Sequence, residues 1–261
     1  VVAINVGPTS KEQGAHLFKY DSTFGTFDKK VSYSNGSMTV NGHTIELIQE
    51  KDPVNLPWAK LGVDVVVEAT GLFKSKEAAS KHISAGAKMV VISAPSESAD
   101  KTIIPGINSS EFDYKIHKVV SLGSCTTNAI VPLIQVLKEN YSITSAQFTS
   151  IHSYTNDQSL LDGEHKDLRR ARSAATNLIP TSTGADKVVV KIFPELAGKI
   201  RGSAIRAPIP SMSILDFTFT AQEELSAIEI NKQVEEASRT TLNGILSFTH
   251  EPLVSSDFIG N

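Results

Sequence analysis

The sequence predicts an α/β protein in which a doubly wound domain is followed by an α+β domain with a mostly antiparallel sheet. In the first half, short apolar runs alternate with segments of helical pattern, which is the rhythm of βαβ units. In the second half, several strand-like runs follow one another before a single amphipathic helix. We place the boundary at Ser124, which gives domains over residues 1–124 and 125–261.

The first elements are strands around one helix. Residues 1–4 are apolar enough for a buried strand, and residues 9–12 form a capping-box-like start for a helix. Residues 37–40 and 44–48 predict a hairpin, because the segment between them contains Asn41-Gly42, a pair typical of tight turns.

A strand–helix–strand unit follows. Residues 63–68 are almost continuously apolar, which predicts a parallel strand covered on both faces. Residues 76–85 predict a helix with Ser75 as its N-cap, and residues 88–92 predict the next buried strand. This order is typical of a doubly wound sheet.

The pattern changes after residue 124. Residues 129–139 predict a helix that Pro132 makes irregular. Residues 154–180 are charged and lack periodicity, which predicts a long loop of the kind that carries function. We predict strands at residues 145–151, 187–192, 203–206 and 214–220, and an amphipathic helix at residues 223–239.

Composition bounds the function classes. The 261 residues are 40% hydrophobic and 20% charged, with a net charge of −3, as in ordinary globular proteins. This balance gives no electrostatic reason to expect nucleic acid or membrane binding, and the chain start does not read as a signal peptide. One cysteine excludes an intrachain disulfide, so we expect a cytoplasmic location.

The single cysteine is the first candidate for chemistry. Cys125 lies between an apolar strand at residues 119–122 and a helix, so we expect it at a helix start. There the backbone N–H groups and the positive end of the dipole stabilise a thiolate. The hydroxyls of Ser124 and Thr126 flank it. A lone cysteine is more often a small core residue, so the assignment depends on its neighbours.

A histidine supplies a candidate base. His152 follows the strand predicted at residues 145–151, and a cysteine with a distant histidine is a candidate nucleophile–base pair. The remaining histidines lack the spacing of metal ligands, so we predict no metal site. They are His16, His43, His82, His117, His165 and His250.

Eight stretches carry a resemblance to a known family. They are residues 19–22, 63–71, 92–95, 124–128, 152–158, 167–172, 181–184 and 205–208. In this order and spacing they resemble phosphorylating glyceraldehyde-3-phosphate dehydrogenase over almost the whole chain. The resemblance implies a Rossmann-like domain followed by a catalytic domain. It also implies a homotetramer, with the long loop at the subunit contacts.

The resemblance implies a reaction that suits the candidate pair. Glyceraldehyde 3-phosphate is oxidised to 1,3-bisphosphoglycerate with inorganic phosphate, reversibly, through a thioester on Cys125. His152 serves as the base, and the hydride passes to NAD or NADP.

Two anion sites are implied as well. The pocket for the substrate phosphate matches Thr155, Thr183 and Arg206, and the pocket for the attacking phosphate matches Ser124, Thr126, Arg170, Thr183 and Gly184. Arg169 is an alternative to its neighbour Arg170. We expect two of the three arginines 169, 170 and 172 to be solvated or to lie at a subunit contact.

The cofactor residues are implied only in part. The family opens with a strand and a Gly-rich turn, and no G-x-G-x-x-G occurs here. We therefore expect the sequence to be a fragment that starts at the family's second strand and stops before its last strand. The implied cofactor residues are Asn5, Val6, Lys51, Thr70, Gly71 and Ser93.

Val6 bears on the choice of cofactor. An acidic residue at this point binds the adenine-ribose 2′-hydroxyl of NAD, and valine neither accepts that hydroxyl nor repels a 2′-phosphate. The long loop has Gly163-Glu164 where NAD-specific relatives have Leu-Pro. Both departures favour NADP, although NAD could still bind more weakly, and an inward-pointing Glu164 would oppose a phosphate.

Three rival functions stay open. Erythrose-4-phosphate dehydrogenase shares the cysteine motif and the histidine, but the hydroxyls at residues 153–155 and 181–184 fit two phosphate sites better. The others are a non-catalytic protein that reuses the fold and a redox-sensing thiol protein. Turnover on triose phosphate, on erythrose phosphate or on neither separates the three.

Overall fold

The computed structural model describes all residues, 1–261. The chain divides into two compact units. The first contains residues 1–101, 113–121 and 260, and the second contains residues 102–112, 122–259 and 261. The second unit thus includes residues 102–112, which the predicted division at Ser124 assigns to the first domain.

The helices and strands alternate along the first unit and separate along the second. In the first unit they are β1 (Ala3–Asn5), α1 (Lys11–Lys19), β2 (Tyr20–Asp21), β3 (Gly25–Thr26), β4 (Val31–Ser34), β5 (Ser37–Val40), β6 (His43–Ile48), β7 (Val65–Glu68), α2 (Lys76–Ser84), β8 (Met89–Ile92), β9 (Lys101–Thr102, at the unit boundary) and β10 (Val119–Ser121). In the second they are α3 (Cys125–Asn140), β11 (Ile143–Ser153), β12 (Ile179–Thr181), α4 (Ala185–Ile192), β13 (Ile200–Ala207), β14 (Ser213–Ala221) and α5 (Ala227–Arg239).

One sheet of the first unit has the order β1-β6-β5-β4, with β1 parallel to β6 and the other pairs antiparallel. Asn41 (φ 49°) and Gly42 (φ 84°) form the two-residue turn between β5 and β6, as their sequence predicts. The capping box of α1 uses Ser10 and Gln13, one residue later than expected.

The other sheet of the first unit has the order β7-β8-β10-β9, and β7, β8 and β10 run parallel. Helix α2 begins after Ser75, whose side chain accepts from the backbone of Ala78 as predicted. The expectation for residues 63–68 was wrong in one respect. Side chains of β7 alternate, and Val65 (49%) and Val67 (64%) are exposed because β7 is the end strand and only one of its faces is packed.

The sheet of the second unit has the order β12-β13-β11-β14, in which β11 pairs with β13 in parallel and the other two pairs are antiparallel. Helices α3 and α4 pack on it around a core that includes Ile130, Ile134, Phe148 and Val189. The sheet is therefore mostly antiparallel, as predicted. Residues 154–178 join β11 to β12 without a helix or strand.

Residues 187–192 belong to helix α4, so the strand predicted there was wrong. The run Val188-Val189-Val190 favoured a strand because of its β-branched side chains. However, the buried residues Ala185, Val188 and Val189 lie at helical spacing and pack on the core. Packing of this face outweighs the weak local preference.

Across the whole chain, none of the helices combines the length and the apolar character that crossing a bilayer requires.

Candidate active site

Helix α3 begins at Cys125, four residues earlier than the pattern predicted. Ser124 is its N-cap, and the Ser124 Oγ accepts a hydrogen bond from the backbone N–H of Thr127 at 3.1 Å. The turn before it needs Gly123, which has φ +70°. These two residues place the cysteine at the first position of the helix, where free N–H groups stabilise negative charge.

Cys125 and His152 are in contact. The Cys125 Sγ lies 3.1 Å from the His152 Nε2, and the cysteine is exposed. The hydrogen bond from His152 lowers the pKa of the Cys125 thiol, the N–H and hydroxyl of Thr126 lower it further, and burial of the sulfur opposes them. A lower thiol pKa increases the fraction of Cys125 that is present as the nucleophilic thiolate at a given pH.

A backbone carbonyl orients the imidazole ring. His152 lies near the end of β11, and its Nδ1 is 2.8 Å from the carbonyl oxygen of Ser153. Because a carbonyl only accepts, we assign a proton to Nδ1 and a donating Nε2 to the bond with Cys125. The bond to Cys125 raises the pKa of His152, and burial of the ring opposes it. The pair is therefore suited to the thiolate–imidazolium form.

Arg206 lies beside this pair. Strands β11 and β13 are parallel, with Arg206 directly opposite His152, so both side chains project from the same face. The Arg206 Nη1 donates to the Ser153 carbonyl at 2.8 Å and lies 3.0 Å from His152 Nδ1. Burial lowers the pKa of the guanidinium, and the nearby charge of Arg170 lowers it further. Two arginines close together form a positive site that an anion would neutralise.

Arg170 is held from two sides. Its Nη1 donates to Asp157 Oδ2 at 2.5 Å and its Nε donates to Thr181 Oγ1 at 2.9 Å. The other two arginines of this loop are exposed: Arg172 pairs with exposed Asp162 at 3.1 Å, and Arg169 lies in the preceding turn. Arg170 thus differs from the other two arginines, because its side chain is partly buried and is held by two partners.

The predicted hydroxyl and glycine ligands lie at element ends. Thr183 accepts from the backbone N–H of Ala185 at 3.2 Å, which places Thr183 and the N-cap Gly184 at the start of α4. Thr155 is exposed in the loop after β11. Thr126 is buried beside the cysteine. Contacts directly join Cys125, His152 and Arg206; the roles of the others as phosphate ligands remain predictions.

In the first unit, two predicted cofactor residues serve the fold. The Asn5 side chain bonds to the backbone N–H and carbonyl of Glu50 and to the N–H of Gly7, and so closes the turn after β1. Val6 is partly buried and packs against the core of the first sheet, and a Cβ on Gly14 would lie 2.8 Å from its Cγ1. Lys51 is exposed after β6.

Three other predicted cofactor residues follow strand ends. Thr70 and Gly71 follow β7, and Ser93 follows β8, so they lie at the carboxyl edge of a parallel sheet, where α/β proteins bind ligands. Gly71 has φ +74° and no Cβ, which allows close approach of a ligand to the backbone. The N–H and hydroxyl groups of Thr70 and Ser93 donate to Glu68. Gly71 and the position at the sheet edge are therefore what fit a dinucleotide, and the cofactor roles of these residues remain predictions.

Sequence reasoning missed the residues that support these groups. Ser153 and Asp157 orient His152 and Arg170, and Glu68 lies buried beneath Thr70. A carboxylate at the end of an apolar strand was the one signal that could have indicated Glu68. The carbonyl of Ser153 leaves no trace in the sequence.

Comparison with known proteins agrees with the geometry. Residues 124–261 match the family model described as glyceraldehyde 3-phosphate dehydrogenase, C-terminal domain, and residues 1–76 match that described as the NAD binding domain. These matches confirm the predicted fold class.

Full-length comparisons point to the same family. The chain is 48% identical over 261 residues to glyceraldehyde-3-phosphate dehydrogenase 1 of Bacillus subtilis, covering 100% of this chain and 78% of that protein. It is 47% identical to glyceraldehyde-3-phosphate dehydrogenase of Geobacillus stearothermophilus, with the same coverage. Identity to glyceraldehyde-3-phosphate dehydrogenase 2 of Nostoc sp. is 44%, covering 100% of this chain and 77% of that protein. The chain therefore belongs to the glyceraldehyde-3-phosphate dehydrogenase family.

Proposed function

We propose that this protein oxidises glyceraldehyde 3-phosphate to 1,3-bisphosphoglycerate with inorganic phosphate, reversibly, using NAD or NADP. The observation that carries the proposal is the 3.1 Å contact between Cys125 Sγ and His152 Nε2 at the start of a helix. The neighbouring Arg206 and Arg170 add positive charge for a phosphorylated substrate. The relatives are named for the same activity.

The reaction uses the two side chains in turn. The Cys125 thiolate adds to the aldehyde carbon and forms a carbon–sulfur bond, while His152 donates its Nε2 proton to the carbonyl oxygen. His152 then takes the hydroxyl proton as hydride leaves the same carbon. When bound, the nicotinamide ring accepts that hydride. The product is a thioester on Cys125.

Inorganic phosphate completes the cycle. Its oxygen attacks the thioester carbon, the carbon–sulfur bond breaks, and Cys125 leaves as a thiolate that the helix start and His152 stabilise. Arg206, held by the Ser153 carbonyl, and Arg170, held by Asp157 and Thr181, are the proposed cations for the two phosphate groups. Thr155, Thr183, Gly184, Ser124 and Thr126 are the proposed hydroxyl and backbone ligands.

Within this function we propose a preference for NADP over NAD. The side chain of Val6 packs beside Gly14, so this position offers neither a hydrogen bond to a ribose hydroxyl nor repulsion to a 2′-phosphate. Thr9 and Ser10 precede helix α1, whose N-terminal end favours an anion. Binding of NAD with lower affinity is the alternative.

A parallel assay tests the proposal. We expect formation of NADPH or NADH from glyceraldehyde 3-phosphate to require inorganic phosphate, to be abolished by Cys125→Ser, and to be faster with NADP. Faster turnover with NAD would overturn the cofactor preference alone. Faster turnover of erythrose 4-phosphate would identify the rival dehydrogenase. No turnover of either substrate by the folded protein would overturn an enzymatic function.

We also propose a homotetramer in a reducing compartment such as the cytoplasm. Four exposed leucines in the long loop support subunit contacts there: Leu160, Leu161, Leu168 and Leu178. The reaction needs Cys125 as a free thiol, which a reducing compartment maintains. Light scattering coupled to gel filtration gives the mass of the assembly, and a monomeric mass would contradict the tetramer.

A further inference from the structure

A buried chain of polar side chains lies under one strand end in the first unit. Glu68 and His82 are each 4% exposed, and Trp58 is 5% exposed. The Glu68 Oε2 lies 3.0 Å from the His82 Nε2, and the Trp58 Nε1 donates to the His82 Nδ1 at 3.0 Å. The proposed reaction uses none of these three groups.

The hydrogen-bond donors and acceptors determine where each proton lies between Trp58, His82 and Glu68. An indole N–H only donates, so the His82 Nδ1 that receives it carries a lone pair. The His82 proton is then on Nε2, and it is donated to Glu68. Burial raises the pKa of Glu68, but the hydrogen bonds from His82 and Thr70 outweigh it and lower the pKa. Glu68 is thus held as a carboxylate in one orientation.

The other carboxylate oxygen holds an exposed turn. The Glu68 Oε1 accepts from the backbone N–H of Thr70 at 2.8 Å and from the Thr70 hydroxyl. The Thr70 oxygen accepts in turn from the N–H of Leu72 at 3.0 Å. These bonds close the Thr70-Gly71-Leu72 turn around the positive φ of Gly71. The backbone of Glu68 also accepts from Ser93, the residue after β8.

We propose that Glu68 is a positioning residue for the nucleotide: fixed from below by His82 and Trp58, it holds the Thr70-Gly71 turn in the conformation that receives the dinucleotide. The inference rests on the proposed function, because that function brings a dinucleotide to this sheet edge. A buried carboxylate with both oxygens hydrogen-bonded is a rigid support, and a rigid turn lowers the ordering cost of binding.

The first test is Glu68→Gln in the whole enzyme. We expect the Kd for NADP and NAD, measured by calorimetric titration, to rise about tenfold. At saturating nucleotide, kcat and the KM for glyceraldehyde 3-phosphate should stay within about twofold, because Cys125 and His152 lie elsewhere in the chain. The matched control is Glu77→Gln, which removes the same charge from an exposed position on α2 and should change nothing.

The pattern of failure separates the two hypotheses. If the wild type binds neither nucleotide, the proposed function fails and this inference fails with it. If the wild type binds and Glu68→Gln binds equally well, only the inference fails.

A double-mutant cycle distinguishes positioning from packing. In Glu68→Gln, the amide oxygen can still accept from Thr70, but the amide nitrogen must then donate to the His82 Nε2. The histidine proton therefore moves to Nδ1, where it faces the Trp58 N–H, and two donors oppose each other. Trp58→Phe removes that conflict. We expect Glu68→Gln to raise the Kd about tenfold in the wild type and about threefold in the Trp58→Phe background. An equal cost in both backgrounds would overturn the orienting role of His82 and Trp58.

A measurement on the wild type covers the case in which Glu68→Gln does not fold. Trp58 is the single tryptophan, so the indole N–H gives one resonance in a nitrogen-15 correlation spectrum. Saturating nucleotide should shift this resonance, because the bound turn and the indole are joined through Glu68 and His82. A resonance that does not move while nucleotide binds would overturn the inference.

Discussion

The hydrogen bond between Cys125 and His152 acts on the protonation of both side chains. It lowers the pKa of the thiol and raises the pKa of the imidazole, and both shifts favour the thiolate–imidazolium pair over the neutral pair. Arg206 adds a positive charge on the far side of the ring and slightly opposes imidazolium formation. The histidine therefore keeps the ability to release its proton, as an acid–base catalyst must.

Replacing this histidine tests the coupling. In His152→Asn, the thiol loses its main stabilising partner, so its pKa returns toward the ordinary range and the pH of half-maximal alkylation by iodoacetamide rises. Turnover should fall about 10²- to 10⁴-fold. His250→Asn, at an exposed position, is the control and should alter neither quantity. An unchanged alkylation profile in His152→Asn would show that the helix start alone sets the reactivity of Cys125.

The two groups of polar residues differ in how far the sequence foretells them. Cys125 and His152 were singled out because residue type and strand or helix position carry the signal, and the structure brings them into contact. The chain of Trp58, His82 and Glu68 could not be predicted, because it joins three elements that only the tertiary fold brings together. The spacing of the histidines predicts no metal site and does not reveal the hydrogen bonds of His82.

Among the helices, strands and turns, the local sequence predicts turns and helix caps better than it predicts buried segments. The Asn41-Gly42 turn follows from conformations that few residue pairs adopt, so the sequence determines it. Helix α4 was missed because a short apolar run fits a strand and a buried helix face alike. The exposed face of β7 was missed because periodicity does not reveal where a strand lies in its sheet.

The turn into α3 is the element on which the cysteine depends. Gly123 has φ +70°, and a Cβ there would lie 3.1 Å from Ile104 Cδ1 and 3.3 Å from the Thr127 side chain. We expect Gly123→Ala to lower the free energy of unfolding by about 1–2 kcal/mol, the cost of a left-handed conformation for an L-residue. Displacement of the helix start should also slow alkylation of Cys125.

A second glycine gives the comparison. Gly184 has φ −104° and open space where its Cβ would lie, so Gly184→Ala should lower the free energy of unfolding only by the cost of alanine at an N-cap, about 0.5 kcal/mol. Thermal and urea unfolding of the two variants supply both numbers. Equal stabilities would show that the α3 turn accommodates a side chain without strain.

For the whole molecule, the mostly buried carboxylate of Asp100 links stability to pH. Asp100, whose side chain is 11% exposed, pairs with Lys76 at 2.6 Å and accepts from the backbone N–H groups of Lys118 and Val119, each at 2.8 Å. Burial raises the pKa of Asp100, but these partners outweigh it and lower the pKa below the ordinary value. The Asp100 side chain thus connects three parts of the first unit: helix α2, strand β10, and the loop after β8 that carries Asp100 itself.

Asp100 stabilises the folded protein more at neutral pH than at acidic pH. Because the folded-state pKa of Asp100 is below the unfolded value of about 4, its contribution to stability is complete above that value and is lost as the pH falls through the folded pKa. Asp100→Asn should therefore lower the free energy of unfolding at pH 7 by about 1–3 kcal/mol. At about pH 3 the difference from the wild type should shrink, because the wild-type carboxyl is then also largely neutral in the unfolded chain.

Calorimetric melting from pH 7 to pH 3 measures this convergence directly. Asp28→Asn is the matched control, since its carboxylate is 72% exposed and pairs only with the neighbouring Lys29, so its melting curve should follow the wild type at every pH. A constant gap between Asp100→Asn and the wild type down to pH 3 would mean that the side chain acts through shape and neutral hydrogen bonds. In that case the charge on Asp100 would not be what joins these three elements in the folded state.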